Sequence, residues 1–164
     1  MNSFLKKPFI KIALAFLFSL FFLHACKNID VFEKNISIPN MLWQNSFNAT
    51  GSFNITDTGS NYNVYIVLRH TDAYLYNNIW LNVGLQSPGD SALQFQKINL
   101  SLGNDAQGWN GVGMNDIWEV RILISGKPKP FIKAGVYNFS VGQLMRDNPL
   151  QHIISAGLRL EKAK

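Results

Sequence analysis

The chain has 164 residues and a formal net charge of +5, from 15 Lys and Arg against 10 Asp and Glu. That length allows one core of ordinary size once an N-terminal segment is set aside, and excludes two comfortable domains. No basic cluster is longer than Lys127-Pro128-Lys129, so the charge reads as neither a nucleic-acid nor a polybasic membrane footprint.

Residues 1–25 read as a secretory signal. Lys6, Lys7 and Lys11 supply a basic start, residues 12–23 are apolar but for Ser19, and Leu23-His24-Ala25 makes a small-residue exit. The apolar stretch is too short to span a bilayer, which takes ~20 residues. Without those three lysines, twelve basic residues face ten acidic ones, and the mature charge falls to +2. Cys26, the single cysteine, closes the motif Leu23-His24-Ala25-Cys26. That motif resembles a bacterial lipobox, whose cysteine takes a diacylglyceryl thioether before the signal is cut and the new amine is acylated. His24 departs from the usual small or β-branched residue. Cleavage near Ala25 leaving a free thiol, and an uncleaved anchor helix, are the competing readings. An unpaired thiol in an exported protein favours the lipid. Each buried CH₂ contributes ~0.8 kcal/mol, so two or three acyl chains hold firmly. The mature domain is therefore expected over residues 26–164, close to its membrane. Lys27 rather than Asp follows the cysteine, which points to the outer membrane.

Beyond Ile29-Asp30-Val31-Phe32 the chain reads as strands. Residues 47–55 form a weak strand whose alternation slips, as at a bulge. Over 62–69, Tyr62, Val64, Ile66 and Leu68 face a core while Asn63 and Arg69 face water, a period of two. Ile79, Leu81, Val83 and Leu85 repeat the pattern, which puts Trp80 on the polar face with Asn78, Asn82 and Gly84, as a contact residue or under a cover from Tyr74 to Tyr76. Residues 93–100 are a second weak strand. Trp118, Val120, Ile122 and Ile124 then oppose Glu119 and Arg121, which makes Trp118 a core residue. Tyr137, Phe139 and Val141 oppose Asn138 and Ser140. Residues 142–150 have room for a helical turn ended by Asn148-Pro149. The last strand sets Ile154, Ala156, Leu158 and Leu160 inward. Turn signals such as Asp57-Thr58-Gly59 and Ser87-Pro88-Gly89 separate these runs. The expected fold is all-β: a single antiparallel β-sandwich, jelly-roll or Ig-like.

Several stretches carry a resemblance. Leu68-Arg69-His70-Thr71-Asp72-Ala73-Tyr74, Tyr76-Asn77-Asn78-Ile79-Trp80-Leu81, Gly111-Val112-Gly113-Met114-Asn115-Asp116-Ile117-Trp118-Glu119-Val120-Arg121 and Met145-Arg146-Asp147-Asn148-Pro149-Leu150 with Gly157-Leu158-Arg159 resemble the gliding motility lipoprotein GldH family. Order and spacing match over nearly the whole mature chain. The resemblance implies an outer-membrane lipoprotein of bacterial surface gliding that works with other gliding lipoproteins and the type IX secretion machinery. It brings no catalytic residues.

The residues themselves offer little to catalysis. Past the signal only His70 and His152 remain, and lipidation consumes the thiol, so no Cys/His pair or histidine-rich metal cluster is available. Neither a G-x-S-x-G elbow, nor H-E-x-x-H, nor a phosphate-cradling glycine loop occurs. No cofactor, metal or nucleic acid is expected. Arg69, His70 and Tyr74 make the strongest local group: either a pH-sensitive or ligand-binding corner, or a strand end in which Asp72 satisfies turn amides and Arg69 pairs with an acid. Trp109, among Gly108, Gly111 and Gly113, is a lid on the core or an exposed anchor for a partner. Trp80, Trp109 and the Met145-Arg146 segment are the interface candidates. Two functions follow: an assembly lipoprotein held periplasmically at the outer membrane, or a tethered sandwich whose tryptophans bind a glycan or peptidoglycan fragment.

Overall fold

The computed structural model describes residues 31–163, so the signal segment and Cys26 lie outside the described residues. The longer strands are β1 (Val31–Ser37), β2 (Ala49–Ile55), β3 (Asn61–Thr71), β4 (Asn78–Gln86), β5 (Gln94–Ser101), β6 (Val112–Met114), β7 (Ile117–Leu123), β8 (Gly135–Gln143) and β9 (Ile153–Lys162). A six-stranded antiparallel sheet runs β1-β9-β3-β7-β6, with Lys129–Pro130 added against β3. A four-stranded antiparallel sheet runs β2-β8-β4-β5.

These neighbours form nested pairs. The first strand meets the last, β2 meets β8, β3 meets β7, and β4 meets β5 across a short turn. The chain is thus one long hairpin, rolled so that successive pairs fall in opposite sheets. That nesting defines a jelly roll and sets aside the Ig-like order. Outside the β4–β5 and β6–β7 hairpins the paired strands are distant in sequence: Val31 opposes Glu161 and Ser37 opposes Ser155.

The inner faces of the two sheets supply one core, with Ile66, Leu68, Ile79, Leu81, Phe139, Val141, Ile153 and Leu158 fully buried or nearly so. Phe32 of β1 and Phe53 of β2 join the sheets at one end, 5.6 Å between ring centroids. There Phe53 stacks on Tyr137, and Phe131 packs edge-on against Phe53, Tyr62 and Tyr137 at 5.5, 5.5 and 4.9 Å. On β3, Tyr62, Ile66, Leu68 and then His70 continue inward at period two.

Four expectations change. Residues 142–150 hold no helix; among the described residues the one helical turn is the 3₁₀ piece Pro39–Met41. Gly142 and Gln143 extend β8 against Asn82 and Leu81. The buried Gln143 amide then serves the irregular chain beyond: it donates to the carbonyls of Trp43 and Asp147, and its oxygen accepts the Met145 N–H at 2.7 Å. The segment so held leads through a cis Asn148–Pro149 bond to Leu150–Gln151, which pairs with Leu42–Trp43. The bulge also lies elsewhere. β2 and β5 pair without a register shift, whereas β9 skips a residue between Ile153 and Ser155. Ile153 therefore takes the inward place opposite His70, and Ile154 turns out toward Arg69. Trp118 shares the inner face of β7 with Val120, yet it is half-buried, its ring lying over Gly113 of β6. It has no place in the central core.

Because the bulge exchanges two isoleucines, it is directly measurable. Ile153→Ala should cost about 3 kcal/mol, as for other fully buried aliphatic truncations, and Ile154→Ala under ~1 kcal/mol. Chemical unfolding of both variants tests this, and the reverse ranking would restore unbroken alternation.

Candidate interaction surface

Arg69 and His70 are adjacent in sequence but leave β3 on opposite faces, as pleating requires. His70 is completely buried. Its Nδ1–H donates to the Thr71 carbonyl at 2.8 Å, because a carbonyl can only accept, and Nε2 has no partner. The ring lies edge-on to Trp109 at 4.6 Å and tilted against Tyr74 at 5.6 Å. Burial pushes the His70 pKa below its ordinary value, opposed in part by the Thr71 carbonyl, so the ring is neutral near pH 7.

Tyr74 is buried too; its hydroxyl donates to the Asn78 carbonyl, and burial raises its pKa far above the usual phenol range. Trp109 is half-buried and packs on the core, the lid of the two sequence readings. The cluster continues outward from Tyr74 to Tyr76 at 5.8 Å, and Tyr76 O–H donates to the Asp147 carboxylate at 2.7 Å. His70 and Tyr74 thus support the surface from beneath, while Trp109 and Tyr76 partly reach it. Asp72 closes the corner through its backbone N–H, which donates to the Asp116 carbonyl at 2.8 Å.

Trp80 is 45% exposed on the outer face of the four-stranded sheet. The segment beside it is Leu144–Met145 rather than Tyr74 to Tyr76. Trp80 N–H donates to the Met145 sulfur at 3.3 Å, and the Trp80 carbonyl accepts the Leu144 N–H at 2.9 Å. The fold thereby brings Trp80, exposed Leu144, half-buried Met145 and exposed Arg146 to one place. Phe95 lies on the same face, across Gly84, where any side chain would collide with its ring.

Arg69 belongs to a different surface. Its guanidinium meets Glu119 at 2.6 Å, and Glu119 also holds Arg121 at 2.7 Å. Further along the same face Arg159 bridges Glu33 and Glu161, at 2.7 and 2.6 Å. Beside the Arg69 pair lies an open groove of about 620 Å³, lined by Val112, Met114, Ile117 and Ile154 together with Arg69, Glu119 and Arg121. Val112 and Met114 are 75% and 73% exposed. They sit on β6, which among the described residues pairs only with β7 and leaves its other edge free. Gly111 admits the approach of β6: its φ is +92°, and a Cβ there would collide with the Glu119 carbonyl. This groove went unnoticed in the sequence. Its one signal there is the alternation in Val112-Gly113-Met114. Among the described residues no group of three or more His, Cys, Asp or Glu could hold a metal ion, and no helix is long and apolar enough to cross a membrane.

The described residues form a jelly roll whose polar face is tied by ion pairs and which carries an apolar groove and an aromatic patch. The chain belongs to the GldH lipoprotein family, whose model matches residues 30–160. It is 23% identical over 155 residues to a gliding motility lipoprotein GldH homolog of Christiangramia forsetii, covering 90% of this chain and 93% of the relative. To the gliding motility lipoprotein GldH of Flavobacterium johnsoniae it is 25% identical over 146 residues, covering 85% and 89%. Among solved structures, infectious bursal disease virus VP2 subviral particle aligns at 14% identity with a TM-score of 0.32, over 83% of this chain but only 34% of the viral one. The Gx strain of that virus gives 14% and 0.29, with the same coverage. Membership of a lipoprotein family implies attachment to a membrane.

The buried imidazole makes stability depend on pH. A histidine whose folded pKa lies below its unfolded value of 6.5 contributes full stability above that value. As pH falls below it, the unfolded chain takes the proton more readily and stability is lost. Melting temperature should therefore drop between pH 7 and 5, and His70→Phe should flatten that drop. An unchanged slope in the variant would show that other groups govern it.

Proposed function

We propose that this chain is an outer-membrane lipoprotein of gliding motility. It would be fastened through lipid on Cys26, face the periplasm, and act as a non-enzymatic assembly or stabilising part beside other gliding lipoproteins and type IX secretion components. The observation that carries this reading is the family match, which spans all but the last few residues of the described sandwich, together with relatives named for gliding that align over most of their length.

The surface suits such a role. The groove beside β6 combines exposed Val112 and Met114 with a free strand edge, against which an extended partner segment can add as a further strand. Arg69, Glu119 and Arg121 line it, and rim charges of this kind set register and orientation more than affinity. Trp80 with Met145 and Arg146 offers a second contact area.

Deletion should abolish colony spreading, with the wild-type gene restoring it. Cys26→Ser should lose acyl labelling and leave the membrane fraction. Val112→Glu with Met114→Glu should keep the melting temperature within a few degrees yet lose in-cell crosslinks to partner lipoproteins. A deletion strain that spreads and secretes normally would end the proposal.

A glycan-binding reading draws on the outer face of the four-stranded sheet, where exposed Trp80 and Phe95 stand among Asn82, Asn99 and Asn138. Saturable binding of peptidoglycan fragments, lost on Trp80→Ala, would favour it; an assembly role predicts no saturation.

A further inference from the structure

We propose that the end of the sandwich from which the anchor departs lies flat against an anionic lipid surface, docked through the loop between β7 and β8. Ile132 enters the headgroup layer, and Lys127 and Lys129 meet its phosphates. This rests on lipidation of Cys26.

The register locates the end. Val31 opposes Glu161, Glu161 opposes Asn63, and Lys129 opposes the adjacent Tyr62. The start of β1 and the Lys129–Pro130 strand are therefore at one end of the same sheet, three strand spacings or roughly 14 Å apart. Cys26 precedes Val31 by five residue steps, which reach at most ~17 Å when extended. That gap is narrower than a small domain, about 30 Å across. A tether that short keeps the start of β1 near the acylated leaflet and leaves little room for a globular partner between them, which favours the lipid surface as the occupant of this end.

The loop is built to hold an apolar tip outward. Phe131 is pinned among Phe53, Tyr62 and Tyr137. Tyr137 O–H donates to the Lys133 carbonyl at 2.9 Å and accepts the Lys133 N–H at 3.3 Å. Pro128 and Pro130 restrict the backbone before it. Between these fixed points Ile132 projects outward, 82% exposed. Single exposed aliphatic side chains are common on protein surfaces; what marks this one is its place on a braced loop, next to two exposed lysines, at the end from which β1 starts.

Charge agrees. Among the described residues the carboxylates at this end are held: Asp57 by Lys162, Asp90 by Lys133, and Glu161 by Arg159. Among the described residues Lys127 and Lys129 are exposed and have no ion-pair partner. Two free lysines are fewer than a polybasic membrane signal, which agrees with the sequence. With acyl chains supplying the hold, loop contacts need only set orientation.

The test uses the full-length acylated lipoprotein. The thioether consumes Cys26, so Ile132→Cys or Leu75→Cys introduces a single thiol for an environment-sensitive fluorophore. Leu75, 80% exposed, lies beyond the Thr71 end of β3, away from the anchor. In phosphatidylethanolamine–phosphatidylglycerol vesicles carrying quencher lipids, the label at 132 should be blue-shifted and quenched severalfold more than the label at 75. Lys127→Glu with Lys129→Glu should remove most of that difference while flotation with vesicles persists. Equal quenching at both positions in protein that floats overturns the docking face and leaves the anchor standing. Protein that neither floats nor carries acyl mass at Cys26 overturns both. A photo-crosslinker at position 132 that captures protein and no phospholipid in cells overturns it in favour of a protein partner.

Discussion

The pairing of the first strand with the last holds the rest of the molecule in place. β1 contributes one row of backbone hydrogen bonds to β9, and β9 in turn lies between β1 and the central strand β3. The approach is close: at Gly157 a Cβ would collide with the Lys34 carbonyl and the Asn35 side chain, so the contact needs a residue without one. Inside this outermost pair the others nest, and each closes a shorter loop than the one around it. The energetic consequence is a fold of non-local contacts, whose ordering entropy is recovered only when both chain ends are engaged.

The same pairing ties location to structure. β1 is the strand that any N-terminal anchor must leave from, and it is bonded along its length to β9. Load on an anchor attached there would pass into β9 and β3. The two ends of the sandwich differ accordingly: the Phe53, Phe131 and Tyr137 cluster closes the anchor end, and the His70, Tyr74 and Trp109 cluster closes the far one. Aromatic packing of this kind contributes beyond area burial through edge-on geometry, and it seals both mouths of the roll.

Strand pleating decides what each end can present. At the exit of β3 it sends Arg69 to the ion-paired face and His70 into the core, so a run that looked like one constellation serves two surfaces. The bulge at Ile154 then adds an aliphatic wall to the Arg69 side. The groove therefore arises from three separate departures: a bulge in β9, a glycine at 111, and a short edge strand with apolar residues facing water.

Local chemistry was legible wherever a single period ran unbroken. The strands holding Ile66, Ile79, Val120 and Phe139 follow from alternation, and the sandwich from turns between short strands. Arg69 was paired with an acid on type alone, and Trp80 was placed outside by counting its neighbours. The rest needed the tertiary structure, because it depends on registers between strands far apart in sequence. Whether Ile153 or Ile154 faces inward is set by which residue of β9 opposes His70, and alternation carries no record of a skipped position. Whether residues 142–150 form a helix is set by Gln143 finding Trp43 and Asp147 as partners. Whether Trp109 covers the core is set by His70 lying below it. By itself the sequence determined class and polarity of faces, since these follow from side chains within a few residues. Strand order, the groove and the two ends belong to the rolled pairing, since only closure of the hairpin brings those residues together.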